Sequence, residues 1–338
     1  MNLLVTGGAG FIGSNFVRRR RARLPRERLV VLDALTYAGN LASIDGVEGV
    51  TFVRADICDG AAVEATLRDH AIEAIVHFAA ESHVDRSILG PGAFVRTNVT
   101  GTATLLEKAR AAGVKRFVHV STDEVYGDLG PEEAPFSEAT PIRPRSPYSA
   151  SKAGSDHLVH AWFETYRFPT LITRCSNNYG PYQFPEKLIP LMILNAMSDM
   201  PLPVYGDGMN VRDWIHVDDH CAAVERVLEA GRDGEVYNVG GRAEKPNLEI
   251  VRAILRALGK PESLIKYVAD RPGHDRRYAI DDRKIERELG WTRARKFDEG
   301  LAATIAWYRA NEPWWSAIRS GEYLHWYERN YGARGTSG

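Results

Sequence analysis

A tyrosine and a lysine four residues apart, Tyr148 and Lys152, are the residues best placed by type and spacing to do chemistry. They follow Pro144 and Pro147, so we expect them at the start of a helix, where a spacing of four places both on one face. An ammonium beside a phenol favours the phenolate and lowers the phenol pKa from its reference of about 10. The pair predicts a general base that works near neutral pH, although an ordinary helix-surface pair has the same spacing.

A hydroxyl and two adjacent carboxyl groups stand just upstream, in Thr122, Asp123 and Glu124. They follow a predicted strand over residues 116–121, and Ser121 ends that strand. Repulsion between adjacent carboxyls can keep one protonated as an acid while the other acts as a base. The alternative is a capping or loop-anchoring pair. A base together with an acid/base pair is more than a simple alcohol dehydrogenase needs, and the residues alone leave open which carboxyl is which.

A glycine-rich turn lies between the first predicted strand, residues 3–6, and a helix that begins near Phe11. Gly7, Gly10 and Gly13 supply the spacing of a dinucleotide-binding turn. Glycine is needed there because a side chain would block the approach of the backbone to a pyrophosphate, and the helix N-terminus adds N–H donors. The alternative is a tight turn that binds nothing.

A carboxylate ends the second predicted strand, residues 29–33. Asp33 lies 20 residues beyond Gly13, where an acid that binds the ribose is expected. Such a carboxylate accepts hydrogen bonds from a 2′-hydroxyl and repels a 2′-phosphate. Because Ala34 and Leu35 follow it rather than an arginine, we favour NAD over NADP.

Strands and helices alternate through the first half of the chain, which predicts a Rossmann-type doubly wound parallel sheet in the α/β class. The turn at 7–13, Asp33, Asp56 and Ile57, residues 78–82 and residues 121–124 all follow strands, so we expect one site at the carboxyl edge of the sheet. We place the NAD-binding domain at 1–176. A smaller α/β substrate-binding lobe follows at 177–332, with helices near 186–198, 218–230, 247–259 and 298–311 and some segments returning to the first domain. A flexible tail occupies 333–338.

Composition and charge exclude several classes of function. The formal net charge of −1 gives no global electrostatic case for nucleic acid or an anionic membrane. The arginine run at 18–23 is then interpreted as a solvated helix end, with a nucleic-acid patch as the alternative. Three scattered cysteines and no long apolar run predict a cytoplasmic protein. His216 and His220 are four apart, but a strand end and a helix cap at Asp218 separate them, so we expect no metal site.

With these residues in place, the chain resembles the extended short-chain dehydrogenase/reductases, and within them the dTDP-glucose 4,6-dehydratases. The resemblance runs from Met1 to about Tyr331. It depends on the segments at 121–127, 148–152, 177–182, 185–190, 212–214 and 269–274. The adjacent Asp123 and Glu124 separate this branch from the related epimerases.

The resemblance implies site residues one by one. The implied NAD contacts are Phe11, Ile12, Asp33, Ala34, Leu35, Thr36, Asp56, Ile57, Phe78, Ala79, Ala80, Ser82, Thr97, Ser121, Tyr148, Lys152 and Asn178. The implied nucleotide-sugar contacts are Ser82, Thr122, Asn177, Glu186, Lys187, Leu188, Pro203, Val204, Tyr205, Arg212, Asn247, Asp270, Arg271 and His274. The implied catalytic residues are Thr122, Asp123, Glu124, Tyr148 and Lys152, with Glu124 as the base at C5 and Asp123 as the acid at C6.

The implied activity is dehydration of dTDP-glucose to a 4-keto-6-deoxy sugar, with NAD tightly bound and regenerated in each cycle. The resemblance also implies a homodimer through helices 92–112 and 147–166. The alternatives are a UDP-hexose 4-epimerase, a hexuronate decarboxylase, and, in a different class, a non-catalytic NAD-sensing protein. An epimerase has no use for an acid/base pair at C5 and C6, and a decarboxylase should have a cation where this chain has Asp123. A sensor can lose the catalytic tyrosine or lysine, and both are present here.

Overall fold

Parallel strands dominate the computed structural model, which describes residues 1–319. The main sheet has seven strands in the order β3-β2-β1-β4-β5-β6-β10, and every neighbouring pair is parallel. The predicted doubly wound parallel sheet is therefore confirmed. The strands are β1 Asn2–Thr6, β2 Arg28–Asp33, β3 Val50–Arg54, β4 Ala74–His77, β5 Arg116–Thr122, β6 Thr170–Cys175, β7 Asn177–Tyr179, β8 Leu202–Tyr205, β9 Val211–His216, β10 Val236–Val239, β11 Glu244–Pro246 and β12 Ile265–Val268.

Helices connect these strands and cover both faces of the main sheet. The α-helices are α1 Phe11–Arg23, α2 Gly60–Asp69, α3 Val84–Leu89, α4 Pro91–Phe94, α5 Thr102–Ala111, α6 Pro147–Tyr166, α7 Leu188–Met197, α8 Val217–Ala230, α9 Asn247–Leu258, α10 Arg283–Leu289, α11 Phe297–Ala310 and α12 Glu312–Ile318. A π-helical segment, Val95–Gly101, joins α4 to α5, and short 3-10 turns occupy Leu41–Ser43, Asp123–Tyr126 and Glu262–Leu264. The helix predicted over 92–112 is thus continuous, but its middle is a π-helix, which is wider than an α-helix. Among residues 1–319, no helix has the length and apolar character needed to cross a membrane.

The central strands are apolar along their whole length because both faces of the sheet are covered. Leu3 and Val5 of β1 are buried in one core with α1 and α8, whereas Leu4 is buried in the other core with α2, α5 and α6. Alternate side chains of one strand therefore enter opposite layers. This packing leaves the carboxyl ends of the strands as the open edge of the sheet.

Part of the second half of the chain returns to this sheet. Strand β10 pairs with β6, and α8 packs on α1. The arginine run at the end of α1 contacts acidic residues of α8 and of the loop before β2. Arg19 pairs with Glu225 of α8, and Arg20, which is 2% exposed, pairs with Glu229 of α8 and with Glu27 of the loop. These contacts explain much of the basic run as a contact between helices. The division between domains at 176 and 177 stays a prediction.

The smaller lobe has its own core beneath β8 and β9. The strands form a three-stranded sheet, β11-β9-β7, and a two-stranded sheet, β12-β8. Helices α7, α9 and α11 bury their apolar faces against them in one cluster that includes Ile193, Ile254 and Tyr308. The predicted tail at 333–338 lies outside the described residues.

Candidate active site

A cavity of about 290 Å³ opens at the carboxyl edge of the main sheet. The turn after β1, the ends of β2 to β6 and the first turns of α6 line it. This cavity lies at the edge of the sheet where we expected the site. The segment from Gln183 to Lys187 reaches in from the smaller lobe.

The glycine turn after β1 is shaped as a cradle. A Cβ on Gly13 would lie 2.2 Å from the Gly7 carbonyl oxygen, and a Cβ on Gly7 would lie 2.5 Å from the Ala79 nitrogen. Gly7 also has a φ of 70°, which other residues rarely adopt. Gly10 is different, because a Cβ there would meet only the Gly7 oxygen, at 3.3 Å. Its missing side chain leaves room on the cavity side, beside the first turn of α1, which has no side-chain cap.

Asp33 is tied to this turn through its carboxylate. Its Oδ2 accepts a hydrogen bond from the Ala9 N–H at 3.0 Å, and its Oδ1 accepts one from the Leu35 N–H at 2.8 Å. Burial raises the pKa of Asp33, and the two backbone hydrogen bonds oppose that rise. Leu35 has a φ of 53°, so its backbone bends back toward Asp33, and it does not line the cavity. These two hydrogen bonds hold the carboxylate at the wall of the cavity.

The two adjacent carboxyls stand at the end of β5 in a 3-10 turn. The Thr122 hydroxyl accepts a hydrogen bond from the Glu124 N–H at 3.3 Å and lies 3.4 Å from Oδ1 of Asp123. Asp123 is 1% exposed, and its Oδ2 has no hydrogen-bond partner among the described residues. Burial, then the charges of Glu124 and Asp213, raise the pKa of Asp123 well above its ordinary value. Burial and the neighbouring acidic groups therefore favour the protonated form of Asp123.

Glu124 has the same kind of side chain in a different electrostatic setting. Burial raises its pKa, but the cations Arg271, Arg212 and Lys187 act in the opposite direction. Their charges come from the smaller lobe and from the segment that precedes α7. The environment therefore separates the two carboxyls: the more strongly raised pKa belongs to Asp123, and the carboxyl facing the cations is Glu124.

Tyr148 and Lys152 lie in the first turns of α6, as predicted. Ser146 caps this helix through a reciprocal pair of hydrogen bonds with Ser149. One expectation is wrong: the pKa of the Tyr148 phenol lies well above its ordinary value rather than below it, because burial and the Glu124 charge raise it. The hydroxyl of Thr122 acts to lower this pKa. The Nζ of Lys152 donates to the Val120 carbonyl oxygen at 2.9 Å, and burial lowers the pKa of Lys152 to about 8.

Asn178 is oriented by a buried histidine. Its Nδ2 donates to the Ser176 carbonyl oxygen at 3.0 Å, so its Oδ1 faces Nδ1 of His220, at 2.9 Å. His216 rather than the predicted Asp218 caps α8, because its ring accepts the Asp218 N–H. Each histidine thus has its own hydrogen-bonding role. Within the described residues, no group of three or more His, Cys, Asp or Glu side chains could hold a metal ion.

Most of the predicted site residues converge on the cavity, and a second group lies in the smaller lobe. The cavity is lined by Gly7, Gly10, Phe11, Ile12, Gly13, Asp33, Ala34, Thr36, Asp56, Ile57, Phe78, Ala79, Ala80, Ser82, Thr97, Ser121, Thr122, Asp123, Glu124, Tyr148, Lys152, Asn177, Asn178, Glu186 and Lys187. The residues outside its lining are Leu35, Leu188, Pro203, Val204, Tyr205, Arg212, Asn247, Asp270, Arg271 and His274. Val204 belongs to the apolar core, so only its backbone is free to face a ligand.

Several cavity residues were not predicted from the sequence. Gln183 and Phe184 line the cavity, and so does Cys175, to which the sequence had assigned no role. Gln183 and Phe184 lie between two segments already singled out, at 177–182 and 185–190, so continuity could have found them. Asp85 had no such signal: it accepts hydrogen bonds from the Tyr205 hydroxyl at 2.9 Å and from Arg271 at 3.2 Å. These bonds connect α3 to the smaller lobe across the mouth of the site.

Comparison with known proteins finds a matching family, relatives of similar sequence and solved structures of similar fold. Residues 4–304 match the family model of GDP-mannose 4,6-dehydratase. The chain is 56% identical to a dTDP-glucose 4,6-dehydratase of Xanthomonas campestris over 95% of its length and 96% of the relative. DesIV, a dTDP-glucose 4,6-dehydratase of Streptomyces venezuelae solved with NAD and dTDP bound, superimposes with a TM-score of 0.91 and 52% identity, over 94% of this chain and all of DesIV.

A UDP-glucose 4-epimerase of Thermus thermophilus, solved with NAD, also has a similar structure. It has a TM-score of 0.86 and 33% identity, over 92% of this chain and 100% of the epimerase. The two kinds of enzyme share the fold, and the higher identity lies with the dehydratases.

Proposed function

Because the chain belongs to the GDP-mannose 4,6-dehydratase family and, within it, resembles the dTDP-glucose 4,6-dehydratases over nearly its whole length, we propose that it is a hydro-lyase that converts dTDP-glucose to dTDP-4-keto-6-deoxyglucose and water. One observation carries the assignment to this reaction. A carboxyl with a strongly raised pKa, Asp123, adjoins a carboxyl that faces three cations, Glu124, beside a tyrosine and a lysine.

The residues of the cradle fit NAD. The open side of Gly10 and the uncapped first turn of α1 suit a pyrophosphate, because unpaired N–H groups and the helix dipole favour an anion. Asp33 stands at the end of β2 to accept the ribose hydroxyls. NAD bound in this cavity would take the hydride from C4 of the sugar and return it to C6. NAD is thus unchanged over one cycle, which favours tight retention.

Oxidation at C4 makes the neighbouring C5 proton acidic. We assign Tyr148 to take the proton of the C4 hydroxyl, and Thr122 to hold the C4 oxygen by a hydrogen bond. Lys152 supplies a positive charge on the same helix face, which stabilises the phenolate that must be present before Tyr148 accepts this proton. The high pKa of Tyr148 in the protein alone means that this base depends on positive charge close to its oxygen.

Loss of water from C5 and C6 requires a base and an acid. Glu124 removes the C5 proton, because the cations around it stabilise the carboxylate. Asp123, whose protonated form is favoured by burial, gives its proton to the departing C6 hydroxyl. Glu124 then returns a proton to C5 when hydride arrives at C6. The released water therefore takes its hydroxyl from C6 and its proton from Asp123.

The smaller lobe supplies the contacts for the nucleotide. Arg212 lies over the ring of Tyr278, 4.3 Å from its centroid, and donates to the Asp275 carbonyl oxygen at 2.9 Å. Lys187 donates to the Ser82 carbonyl oxygen at 2.9 Å, so it joins the smaller lobe to the cofactor side of the cavity. A planar guanidinium suits bidentate contact with a phosphate. We assign the pyrophosphate of the sugar nucleotide to these cations and to Arg271.

The decisive experiment follows a deuterium label placed at C4 of dTDP-glucose by NMR, without added reductant. We expect deuterium on C6 of a 4-keto-6-deoxy product. Deuterium retained at C4 of a galacto product would establish an epimerase instead. The Tyr148→Phe variant is the matched control, because it removes one hydroxyl and should bind NAD without converting the sugar. Binding of NAD by the wild-type protein, with no conversion of any sugar nucleotide, would identify a sensor.

We further propose a homodimer through the outer faces of the Pro91–Ala111 helix and α6. Exposed apolar side chains support this interface: Val95 is 52% exposed and Tyr166 is 49% exposed. Light scattering should give twice the chain mass at micromolar concentration. Val95→Glu should yield a monomer, whereas Leu41→Glu, at a position 46% exposed in another part of the surface, should not. A monomeric wild-type protein would refute the proposal.

We also propose that the protein works in the cytoplasm. Cys58, Cys175 and Cys221 are all free thiols, and two of them are buried. Unpaired buried thiols are typical of proteins in a reducing compartment. Fractionation of the native host with an antibody against the chain would test this location.

A further inference from the structure

A buried polar cluster extends from Lys152 along the inner face of α6. His119 of β5 lies between two charged groups: its Nε2 is 3.4 Å from Nζ of Lys152 and 3.5 Å from Oδ1 of Asp156. The exposed fractions are 3% for Lys152, 0% for His119 and 1% for Asp156. Tyr148, Lys152 and Asp156 follow one another at intervals of four, so all three occupy one stripe of the helix.

Asp156 is held in place by a second cation. Its Oδ2 accepts a hydrogen bond from Nε of Arg174 at 2.8 Å, and Arg174 also donates to the Tyr126 hydroxyl at 2.9 Å. Burial disfavours the charge of Asp156, but the His119 hydrogen bond and the Arg174 cation outweigh burial and lower its pKa to about 2. Asp156 therefore stays ionised throughout the range in which an enzyme works.

The imidazole does not share the charge of Lys152. The Ser155 hydroxyl donates its one proton to the Lys152 carbonyl oxygen at 2.8 Å, so toward Nε2 of His119, at 3.1 Å, it can only accept. Nε2 therefore carries a proton and cannot accept one from Lys152. Burial lowers the pKa of His119 to about 4, which keeps the ring neutral. Any support for the ammonium must come from the carboxylate of Asp156, which lies beside the same Nε2 atom.

Asp156 supplies the negative charge among the groups that surround Lys152. Burial lowers the pKa of His77 on β4 well below its ordinary value and raises that of Cys175 on β6 to about 12, so both are neutral. Tyr148 on α6 is neutral for the same reason, and Arg174 on β6 adds a positive charge. At the cavity end, Asp123 and Glu124 act on Tyr148. Among the described residues that face Lys152, Asp156 is thus the group that opposes loss of its proton.

We propose that Asp156, which shares the Nε2 atom of His119 with Lys152, is a positioning residue that keeps Lys152 protonated, so that one buried carboxylate sets the upper pH limit of activity. The claim about the pH limit of activity rests on the proposed function. The claim about Lys152 does not, because its protonation can be measured without substrate or cofactor. Removing the carboxylate charge with Asp156→Asn keeps the shape of the side chain. The two distances to Nε2 place Nζ of Lys152 and Oδ1 of Asp156 at most about 7 Å apart. At that separation, loss of one buried charge lowers the pKa of the lysine by about one to two units.

The test is an NMR titration of the full chain labelled at Cε of lysine, with Lys152→Met to assign the resonance. In the wild-type protein Lys152 should titrate near pH 8. In Asp156→Asn it should titrate about one to two units lower, and Asp156→Glu, which restores the charge, should recover most of the difference. An unchanged Lys152 titration in Asp156→Asn would overturn the proposal, whatever the activity of the protein.

A matched control separates this effect from simple loss of a buried ion pair. Asp282 is also 1% exposed and pairs with arginines, Arg242 at 2.7 Å and Arg293, but it lies in the loop before α10. Asp282→Asn should leave the Lys152 titration unchanged. If Asp156→Asn does not fold, the double variant with Arg174→Gln removes both charges of the pair and should still lower the Lys152 pKa, because Arg174 lies on the far side of the carboxylate.

The pH profile of kcat provides the second readout. Its upper limb should move to lower pH in Asp156→Asn and stay in place in Asp282→Asn. A purely structural role for Asp156 would lower activity or stability at every pH without moving the limb. An inactive wild-type protein would refute the proposed function and leave the NMR result to decide the role of Asp156.

Discussion

The Asp123→Asn variant tests the role of Asp123 as the general acid while leaving the other residues of the site unchanged. Burial and the neighbouring acidic groups raise the pKa of Asp123 well above its ordinary value and so favour its neutral form, which Asn matches in charge. Asn has the same shape but cannot give a proton to the departing hydroxyl. General acid catalysis contributes about 10²–10⁴-fold, so turnover should fall by that factor, or about 3–5 kcal/mol in the barrier. Stability should change by no more than about 1 kcal/mol, the net contribution of one hydrogen bond.

The assay is a single turnover with dTDP-glucose in deuterated water. In Asp123→Asn, C4 oxidation should proceed, so the near-ultraviolet absorbance of the reduced nicotinamide should appear and persist. Deuterium should enter C5, because Glu124 still removes that proton. Glu124→Gln is the paired control: the same absorbance should persist, but C5 should not exchange. Near-normal turnover in Asp123→Asn, or equal C5 exchange in both variants, would refute the assignment of acid and base.

Three other predictions test the cradle, the smaller lobe and the buried histidines. Gly13→Ala should abolish NAD binding in a fluorescence titration, because its Cβ would lie 2.2 Å from a backbone oxygen, whereas Gly92→Ala, with open space around it, should bind normally. Ile254→Ala, at a position with 0% exposure, should reduce the free energy of unfolding in urea by about 2–5 kcal/mol. Burial lowers the pKa of His119 to about 4 and that of His220 to about 3. The unfolded chain binds protons below about pH 6.5, so stability should be complete above that pH and fall progressively toward pH 3; a Tm that does not fall between pH 7 and 4 would contradict this.

Local patterns in the sequence were enough to predict the layout of the main sheet. Strands of apolar residues alternate with helices at spacings that allow little except a parallel, doubly wound sheet, and this was confirmed. The position of Asp33 beyond the glycine turn and the interval between Tyr148 and Lys152 are also local, so they could be found without tertiary contacts. Side chains at the ends of parallel strands meet at one edge of the sheet whatever the rest of the chain does.

Long-range packing decided what local patterns could not. Strand β10 lies beside β6 although about 60 residues separate them in the chain. Packing in the folded protein, and not the periodicity of apolar residues in the sequence, determines which strands pair. The direction of the Tyr148 pKa was predicted incorrectly, since burial and Glu124 outweigh a lysine one turn away.

The electrostatic difference between Asp123 and Glu124 likewise belongs to the tertiary structure. Adjacent residues share a sequence environment, but Asp213 acts on Asp123, Arg271 and Lys187 act on Glu124, and Arg212 acts on both. Those charges come from segments that lie 60 or more residues away in the chain. The sequence by itself determined which groups stand at the edge of the sheet. Only the folded chain decided which of them carry a proton, because burial and charge depend on neighbours that the fold brings together.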